Sequence, residues 1–366
     1  MSGTERARAW AALAAAGLPS RAIVALLRAF GSPQAVVAAS PSSLAAVAGI
    51  EAAGALATRD REREDATARW LEDPAHRLVA LDDPEYPAAL LEAGEPPPAL
   101  YVLGDPAWLS RPSIAIVGSR HATPDGEETA QTFARTLANA GFTIVSGLAT
   151  GIDAAAHRGA LDAAASTIAV TGTGPDRVYP ASHRDLAHAI VARGSVVTPF
   201  PPGTPPLKGN FPRRNRLIAT LARGVLVVEA ALRSGSLITA RQAADCGREV
   251  FAIPGSIHSP LSKGPHELIR QGAKLVESAQ DVLDELGGVP APAETTVAAA
   301  AHPPPATSLP PSLTRVLDSM GGGPASLDRL ATRTGLPAEA LASALVQLEI
   351  EGRVHALPGG RWQRRA

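Results

Sequence analysis

The stretch F-T-I-V-S-G-L-A-T-G-I-D-A-A-A-H, Phe142 to His157, decides the fold. Four β-prone residues, 142–145, run into the small pair Ser146-Gly147, and a helical pattern follows from Asp153. Apolar strand, small-residue tip and helix together make half of a β-α-β unit. The same order recurs on both sides. Further apolar runs lie at 114–117, 167–170, 195–198, 225–228, 250–253 and 274–276. Helical patterns fill 125–140, 153–164, 182–193, 213–222 and 236–246. Short, almost wholly apolar strands alternating with helices imply a mostly parallel sheet covered on both faces. The right-handed crossover rule then gives an α/β, doubly wound, extended Rossmann-like layout.

In such a sheet ligands bind beyond the carboxyl ends of the strands. Those ends read Gly118-Ser119-Arg120, then Ser146-Gly147-Leu148-Ala149-Thr150-Gly151, then Thr171-Gly172-Thr173-Gly174. The last two read Glu229-Ala230 with Arg233-Ser234-Gly235-Ser236, and Pro254-Gly255-Ser256. Glycine lets backbone approach a ligand closely, and hydroxyls and helix-start amides donate to anions. Tight strand-to-helix turns need glycine anyway, but several such tips along one edge form a row of anion sites.

A second stretch supplies charge. P-P-L-K-G-N-F-P-R-R-N-R-L-I-A-T-L-A-R, Pro205 to Arg223, holds Lys208, Arg213, Arg214, Arg216 and Arg223 and no acid. Phe211 lies inside it, and Leu217, Ile218 and Leu221 recur at helical spacing. Guanidinium forks, helix-start amides and a ring suit a polyanion with exposed bases. The expected contacts are Gly118, Ser119, Arg120, Ser146, Gly147, Gly151, Lys208, Asn210, Phe211, Arg213, Arg214, Asn215, Arg216, Ser234, Gly235 and Ser236. Phe211 either stacks on a base or packs under its own helix. Asn210 and Asn215 either meet phosphate or hold the loop, and some arginines are expected to fix that loop through Glu229.

The whole chain has 366 residues and a formal charge of −1, so polyanion binding must come from local clustering. Apolar residues make up 45%, enough for a substantial core. The lone Cys246 rules out an internal disulfide and a cysteine-based zinc site, and fits a reducing cytoplasm. No run reads as a secretory signal or a membrane span, so a soluble cytoplasmic protein is expected.

Residues 1–72 read as short helices broken by turns, a helix-hairpin-helix or SAM-like module. Such a module touches DNA backbone or simply packs. The piece 73–286 is the Rossmann-like domain, with its core from about 107 and the proline-rich lead P-P-P-A-L-Y-V-L-G-D entering an edge strand or hairpin. The Pro/Ala-rich 287–310 reads as a linker. Residues 311–366 follow the helix, turn, helix, hairpin order of a winged helix. Its second helix, Pro337 to Glu349, carries Glu339 and Glu349 and no basic residue, so protein contact is as plausible there as DNA reading. Arg361, Arg364 and Arg365 remain available for phosphate.

These pieces, taken in order, resemble the DprA (Smf) family of DNA-processing proteins. The matching motifs are A-I-V-G-S-R, I-V-S-G-L-A-T-G-I-D-A-A-A-H, D-R-V-Y-P, N-F-P-R-R-N-R-L-I-A, V-V-E-A-A-L-R-S-G-S-L-I-T-A-R and V-F-A-I-P-G-S. The resemblance implies a bacterial cytoplasmic protein of natural transformation and competence. Such a protein binds and protects incoming single-stranded DNA and loads RecA recombinase on it. It also implies a homodimer formed through the Rossmann-like domain, with no cofactor and no reaction. Thr150 departs from the pattern, since many relatives carry Arg there.

Asp153 and His157 sit one helical turn apart and invite an acid-base reading. An N-cap role for Asp153 and a local hydrogen bond for His157 are the stronger reading. No nucleophile, metal-ligand spacing or phosphate-loop motif completes a catalytic set. The rival enzyme on this fold, a nucleoside-monophosphate phosphoribohydrolase, carries P-G-G-x-G-T-x-x-E, which is missing here. A partner-docking scaffold is the third possibility.

Overall fold

The computed structural model describes residues 3–92, 94–163, 165–287, 310–320, 324–357 and 360–364. They divide into two compact units, 3–254 with 263–287, and 255–262 with 310–364. The expected linker at 287–310 lies almost wholly outside the described residues, as does Arg365.

Six helices open the chain: α1 (Gly3–Ala15), α2 (Ser20–Phe30), α3 (Pro33–Ala38), α4 (Pro41–Ala48), α5 (Ile50–Ala57) and α6 (Arg61–Trp70). Side chains of Ser32, Ser40 and Asp60 cap the starts of α3, α4 and α6 by accepting backbone N–H bonds. The helices bury Trp10, Leu13, Ile23, Leu26 and Val36 in one cluster. Ala80 and Ala99 join that cluster from the sheet, so the module is packed onto the sheet edge.

The sheet elements follow: β1 (His76–Ala80), α7 (Ala88–Glu92), β2 (Ala99–Gly104), β3 (Ser113–Val117), α8 (Pro124–Asn139), β4 (Thr143–Ser146) and α9 (Ile152–Asp162). Then come β5 (Thr167–Val170), α10 (Arg184–Arg193), β6 (Ser195–Thr198), α11 (Asn210–Leu221), β7 (Gly224–Val227) and α12 (Gly235–Asp245). The unit ends with β8 (Glu249–Ala252), α13 (Lys263–Arg270), β9 (Lys274–Leu275) and α14 (Ala279–Leu286). Nine strands lie in the order β1-β2-β6-β5-β4-β3-β7-β8-β9. Strands β3 to β9 pair in parallel, while β1 and β2 pair antiparallel at one edge.

Alternation along each strand explains why both faces are covered. On β3, Ala115 and Val117 enter one core with Leu217, Leu221, Leu237 and Ala240 of α11 and α12. Ile114 and Ile116 enter the opposite core with Phe133 and Leu137 of α8 and Ala155 of α9. The winding direction reverses between β3 and β7. Two tips there part company, which opens the crevice that this class of sheet uses for ligands.

The second unit contains α15 (Pro311–Met320), β10 (Ala325–Ser326), α16 (Leu327–Thr334), α17 (Ala338–Ile350), β11 (Val354–Leu357) and β12 (Arg361–Arg364). A three-stranded sheet, β10-β12-β11, stands beside the helices, which gives the winged-helix arrangement. Among the described residues no helix is long and apolar enough to cross a membrane.

Candidate nucleic-acid interface

Three strand tips are laced together at the reversal point. The Ser119 amide donates to the Glu229 carbonyl over 2.7 Å, which ties the β3 tip to the β7 tip. The Ile152 amide donates to the Ser119 carbonyl, and Thr150 Oγ1 donates to the Arg120 carbonyl over 2.9 Å, which ties β3 to β4. Gly151 permits this lacing. Its φ is +73°, and a Cβ there would sit 2.3 Å from the Ser119 oxygen. Thr150, the residue that departs from the family pattern, thus steers the backbone of Arg120.

Below the lacing lie two neighbouring buried charges, Asp153 and Arg214, which act on each other through space rather than through a direct ion pair. Asp153, 6% exposed, accepts N–H bonds from Gly147 and Ala149 through Oδ2. Arg214, 5% exposed, presses on the same place, since a Cβ on Gly147 would lie 1.4 Å from Arg214 Nη1 and 2.8 Å from Asp153 Oδ2. Burial pushes the Asp153 carboxyl up, opposed by the Arg214 charge and the two amides. Burial lowers the Arg214 guanidinium to about 10, still charged at neutral pH. Asp153 therefore clamps a loop rather than capping α9, whose N-cap is Gly151. His157 is fully buried and bonds Thr167 Oγ1 over 2.8 Å. That hydroxyl already donates to the Ile144 carbonyl, so the histidine carries its proton on Nδ1. Burial, with the charges of His183, Arg214 and Arg158, lowers its pKa to about 3.

Above the pair an open groove of about 570 Å³ runs along the crevice. Gly118, Ser119 and Arg120 form one wall, Phe211, Arg214 and Asn215 the next, and Arg233 with Ser234, Gly235 and Ser236 the third. Lys208 stands at its rim. Arg120, Lys208 and Arg233 are exposed, and none pairs with a carboxylate among the described residues. The start of α12, where helix amides lack intrahelical partners, faces this space. Beside it a slot of about 210 Å³ is lined by Phe211, Tyr179, Gly147, Gly172 and Arg120. The two rings lie 5.9 Å apart and are tilted by 47°. Arg120 and Arg214 both lie over the Phe211 ring, at 5.5 and 5.8 Å from its centroid.

Other expected contacts are placed elsewhere. Ser146 is fully buried and donates to the Ile116 carbonyl, so its hydroxyl is used within the sheet. The Gly147 amide is taken by Asp153. Asn210 is buried and donates to the Gly172 carbonyl, so it braces the β5 tip. Asn215 reaches the Gly235 carbonyl at 3.4 Å, and the Ser234 and Ser236 hydroxyls bond each other. Glu229 binds no arginine of the basic stretch. It accepts from Thr123 N and Oγ1, and burial pushes its carboxyl up. Arg213 and Arg216 line a different groove on the far flank of α11. The expected single trough of basic residues is thus divided by α11 into two. Helix α11 also starts at Asn210, three residues before the expected 213, because Pro212 fits a first helical turn. Tyr179, His121 and Arg233 were absent from the expected set, and an aromatic soon after the Gly172–Gly174 tip was the available signal.

The family model described as DNA recombination-mediator protein A matches residues 77–287, and the DprA winged helix domain matches 299–360. Protein Smf of Escherichia coli (strain K12) is 42% identical over 305 residues, covering 82% of this chain and 80% of its own. The X-ray structure of DNA processing protein A from Streptococcus pneumoniae is similar at a TM-score of 0.66 and 38% identity, covering 75% of this chain and 95% of its own. The structure of DNA processing protein A from Helicobacter pylori, described for its unique single-stranded DNA binding mode, is similar at a TM-score of 0.52 and 32% identity. It covers 57% of this chain and 95% of its own.

Proposed function

Because the chain belongs to the DNA recombination-mediator protein A family, we propose that it grips single-stranded DNA in the groove at the sheet's reversal point. One observation carries this reading: three exposed cations, Arg120, Lys208 and Arg233, surround an open groove that adjoins a slot walled by two aromatic rings. Phosphates need cations and helix-start amides, and unpaired bases need ring faces. A duplex keeps its bases stacked inward and cannot use such a slot.

The division of labour follows from burial. Arg214 and Asp153 form the floor and fix the loop that carries Ala149 and Thr150. Arg120 stands between groove and slot, where it meets a phosphate while its neighbour base enters beside Phe211. Lys208 adds a point charge at the rim. The Gly235 amide and whichever of the two serine hydroxyls keeps its proton free receive the next phosphate. Binding is tolerant of sequence, because stacking reads only a ring face.

No bond need break for this work. His157 is buried, and Asp153, although it lies in the groove floor, is committed to two amides, so the two do not form a free acid-base pair. On this reading the protein protects incoming single strands in the cytoplasm during natural transformation and hands them to RecA recombinase. A homodimer would carry two such grooves in one particle. Fluorescence anisotropy with oligo-dT and with a duplex of equal length tests the core of the proposal. Salt-sensitive binding of oligo-dT, at least tenfold tighter than duplex, is expected. Equal affinity for both, or ribose 5-phosphate release from AMP, would refute it. Light scattering at micromolar concentration tests the dimer, and retention on immobilised RecA tests the partner.

A further inference from the structure

Helix α11 presents two faces at helical spacing. Phe211, Arg214, Asn215 and Ile218 line the groove already described. Arg213, Arg216, Leu217 and Thr220 line a second groove of about 370 Å³ on the opposite flank. Its far wall is made by residues 17–20 of the N-terminal module and by Pro96, Pro97, Pro98 and Pro199.

We propose that this second groove receives the same single-stranded polynucleotide after it crosses the start of α11, with phosphates held by Arg213 and Arg216. The inference rests on the reading of the first groove as a single-strand site. Three features support it.

The first is continuity. Lys208, Gly209 and Pro212 are exposed at the start of α11, where Lys208 and Pro212 line the first groove and the adjoining Arg213 lines the second. The second is charge. Arg213 is exposed, and its guanidinium lies over the Phe200 ring, 5.3 Å from the centroid. That contact fixes the direction of the cation without neutralising it, and no carboxylate pairs with Arg213 among the described residues. Glu95 is the one acid among the lining residues. The third is the wall. Proline has no amide N–H, so Pro96, Pro97, Pro98 and Pro199 offer aliphatic rings and no competing amide donors. It is also fastened, because Ser20 Oγ donates to the Pro96 carbonyl and Tyr86 OH to the Pro97 carbonyl. A rigid wall poor in donors, facing the guanidinium of Arg213, packs sugars and bases without regard to sequence.

The experiment compares oligo-dT of about 5 and about 20 nucleotides on the full chain at several salt concentrations. In Arg213→Ala/Arg216→Ala, affinity for the long oligomer should fall about tenfold, and its salt slope should drop by about 1.4, two single-strand phosphates at roughly 0.7 each. Affinity for the short oligomer should stay within about twofold of the unsubstituted protein. Arg213→Glu changes one exposed residue and guards against a folding defect at Arg216. It should reproduce the length-dependent loss with an unchanged melting temperature. Arg120→Ala/Lys208→Ala should weaken both lengths. Unaltered long-oligomer affinity in Arg213→Glu overturns the second groove alone, as does an equal loss at both lengths. Failure of the unsubstituted protein to bind either length overturns both readings. A poly-glutamate peptide that loses affinity in Arg213→Glu while the long oligomer does not would assign the groove to an acidic protein segment instead.

Discussion

Two helices of this chain invite comparison as nucleic-acid readers. Helix α17 holds the position that a winged helix offers to a DNA groove, yet it contains no lysine or arginine and exposes Glu339, Val346, Glu349 and Ile350. Helix α11 belongs to an α/β sheet with no such reputation, yet it carries Arg213, Arg214 and Arg216 and turns Phe211 towards a slot. Position in a fold and chemistry of a site point in opposite directions here, and the chemistry is the better guide. The difference also shows how α11 is made. One of its arginines is sunk near Asp153 while Arg213 stays exposed, whereas α17 is held chiefly by Leu341, Leu345 and Leu348.

The sharpest way to break this contrast is to remove the anchor. Asp153→Ala leaves the buried Arg214 without its nearby counter-charge and strips the Gly147 and Ala149 amides of their acceptor. Each buried donor left without its acceptor costs roughly 1–3 kcal/mol, so about 2–6 kcal/mol in all. Urea unfolding should show that loss together with loss of oligo-dT binding. A variant as stable as the parent would mean that α11 needs no anchor.

Next in size is a pH effect from the layer beneath α9. His157 is lowered from 6.5 to about 3, so the unfolded chain binds its proton more readily than the folded one. Stability from this group is complete above about pH 6.5 and is lost as pH falls towards 3. The loss between pH 7 and pH 4 should be roughly 3 kcal/mol, at 1.36 kcal/mol per unit. His157→Gln should flatten the profile by that amount. If parent and variant fall in parallel, His157 does not set the acid sensitivity of the site.

The presented charges come third. Arg120→Ala/Lys208→Ala should weaken oligo-dT binding by about 30-fold at low salt and reduce the salt slope by about 1.4. An unchanged slope would show that phosphates pass elsewhere. Phe211→Ala follows, with a stacking loss of about 1 kcal/mol, the low end for a base on a ring because Tyr179 remains. Its signature is a loss that salt does not alter, which separates ring from charge.

How much of this was visible beforehand depends on the kind of information each feature uses. The parallel sheet was legible because Ile114 to Val117 and Ile144 with Val145 are apolar on both faces, a pattern set by the chain alone. The tip glycines were legible for the same local reason. The division of the basic stretch was not. Arg213 and Arg214 are identical and adjacent, and spacing cannot say which one faces in. That choice is made by Gly147 and Asp153, some 60 residues earlier, which leave room for one guanidinium and supply its counter-charge. The hydroxyl of Ser146 was misread for a related reason. Its neighbours suggested a ligand tip, but its own place within β4 turns it onto the Ile116 carbonyl. The true start of α11 was hidden by Pro212, which reads as a break and works as a first-turn residue.

The smallest expected effect decides whether the contrast itself holds. Glu339→Gln/Gln347→Ala/Ile350→Ser unloads the outward face of α17 while leaving Leu341, Leu345 and Leu348 in the core. Glu349 is spared because its Oε1 accepts from the Ala356 amide and so joins α17 to the wing. If α17 never meets the strand, the lost charge at Glu339 acts only through solvent. Beyond a Debye length of about 8 Å at physiological salt, such an effect is largely screened. Oligo-dT affinity should then stay within about twofold of the parent, with the same salt slope. A rise of about tenfold would mean that Glu339 had been repelling phosphate at close range, and a comparable fall would mean that Ile350 or Gln347 touches a base. Either result would place α17 on the polynucleotide beside α11. An unchanged isotherm leaves the outward face of α17 free for a protein, which is what its exposed Val346 and Ile350 among acids are suited to meet.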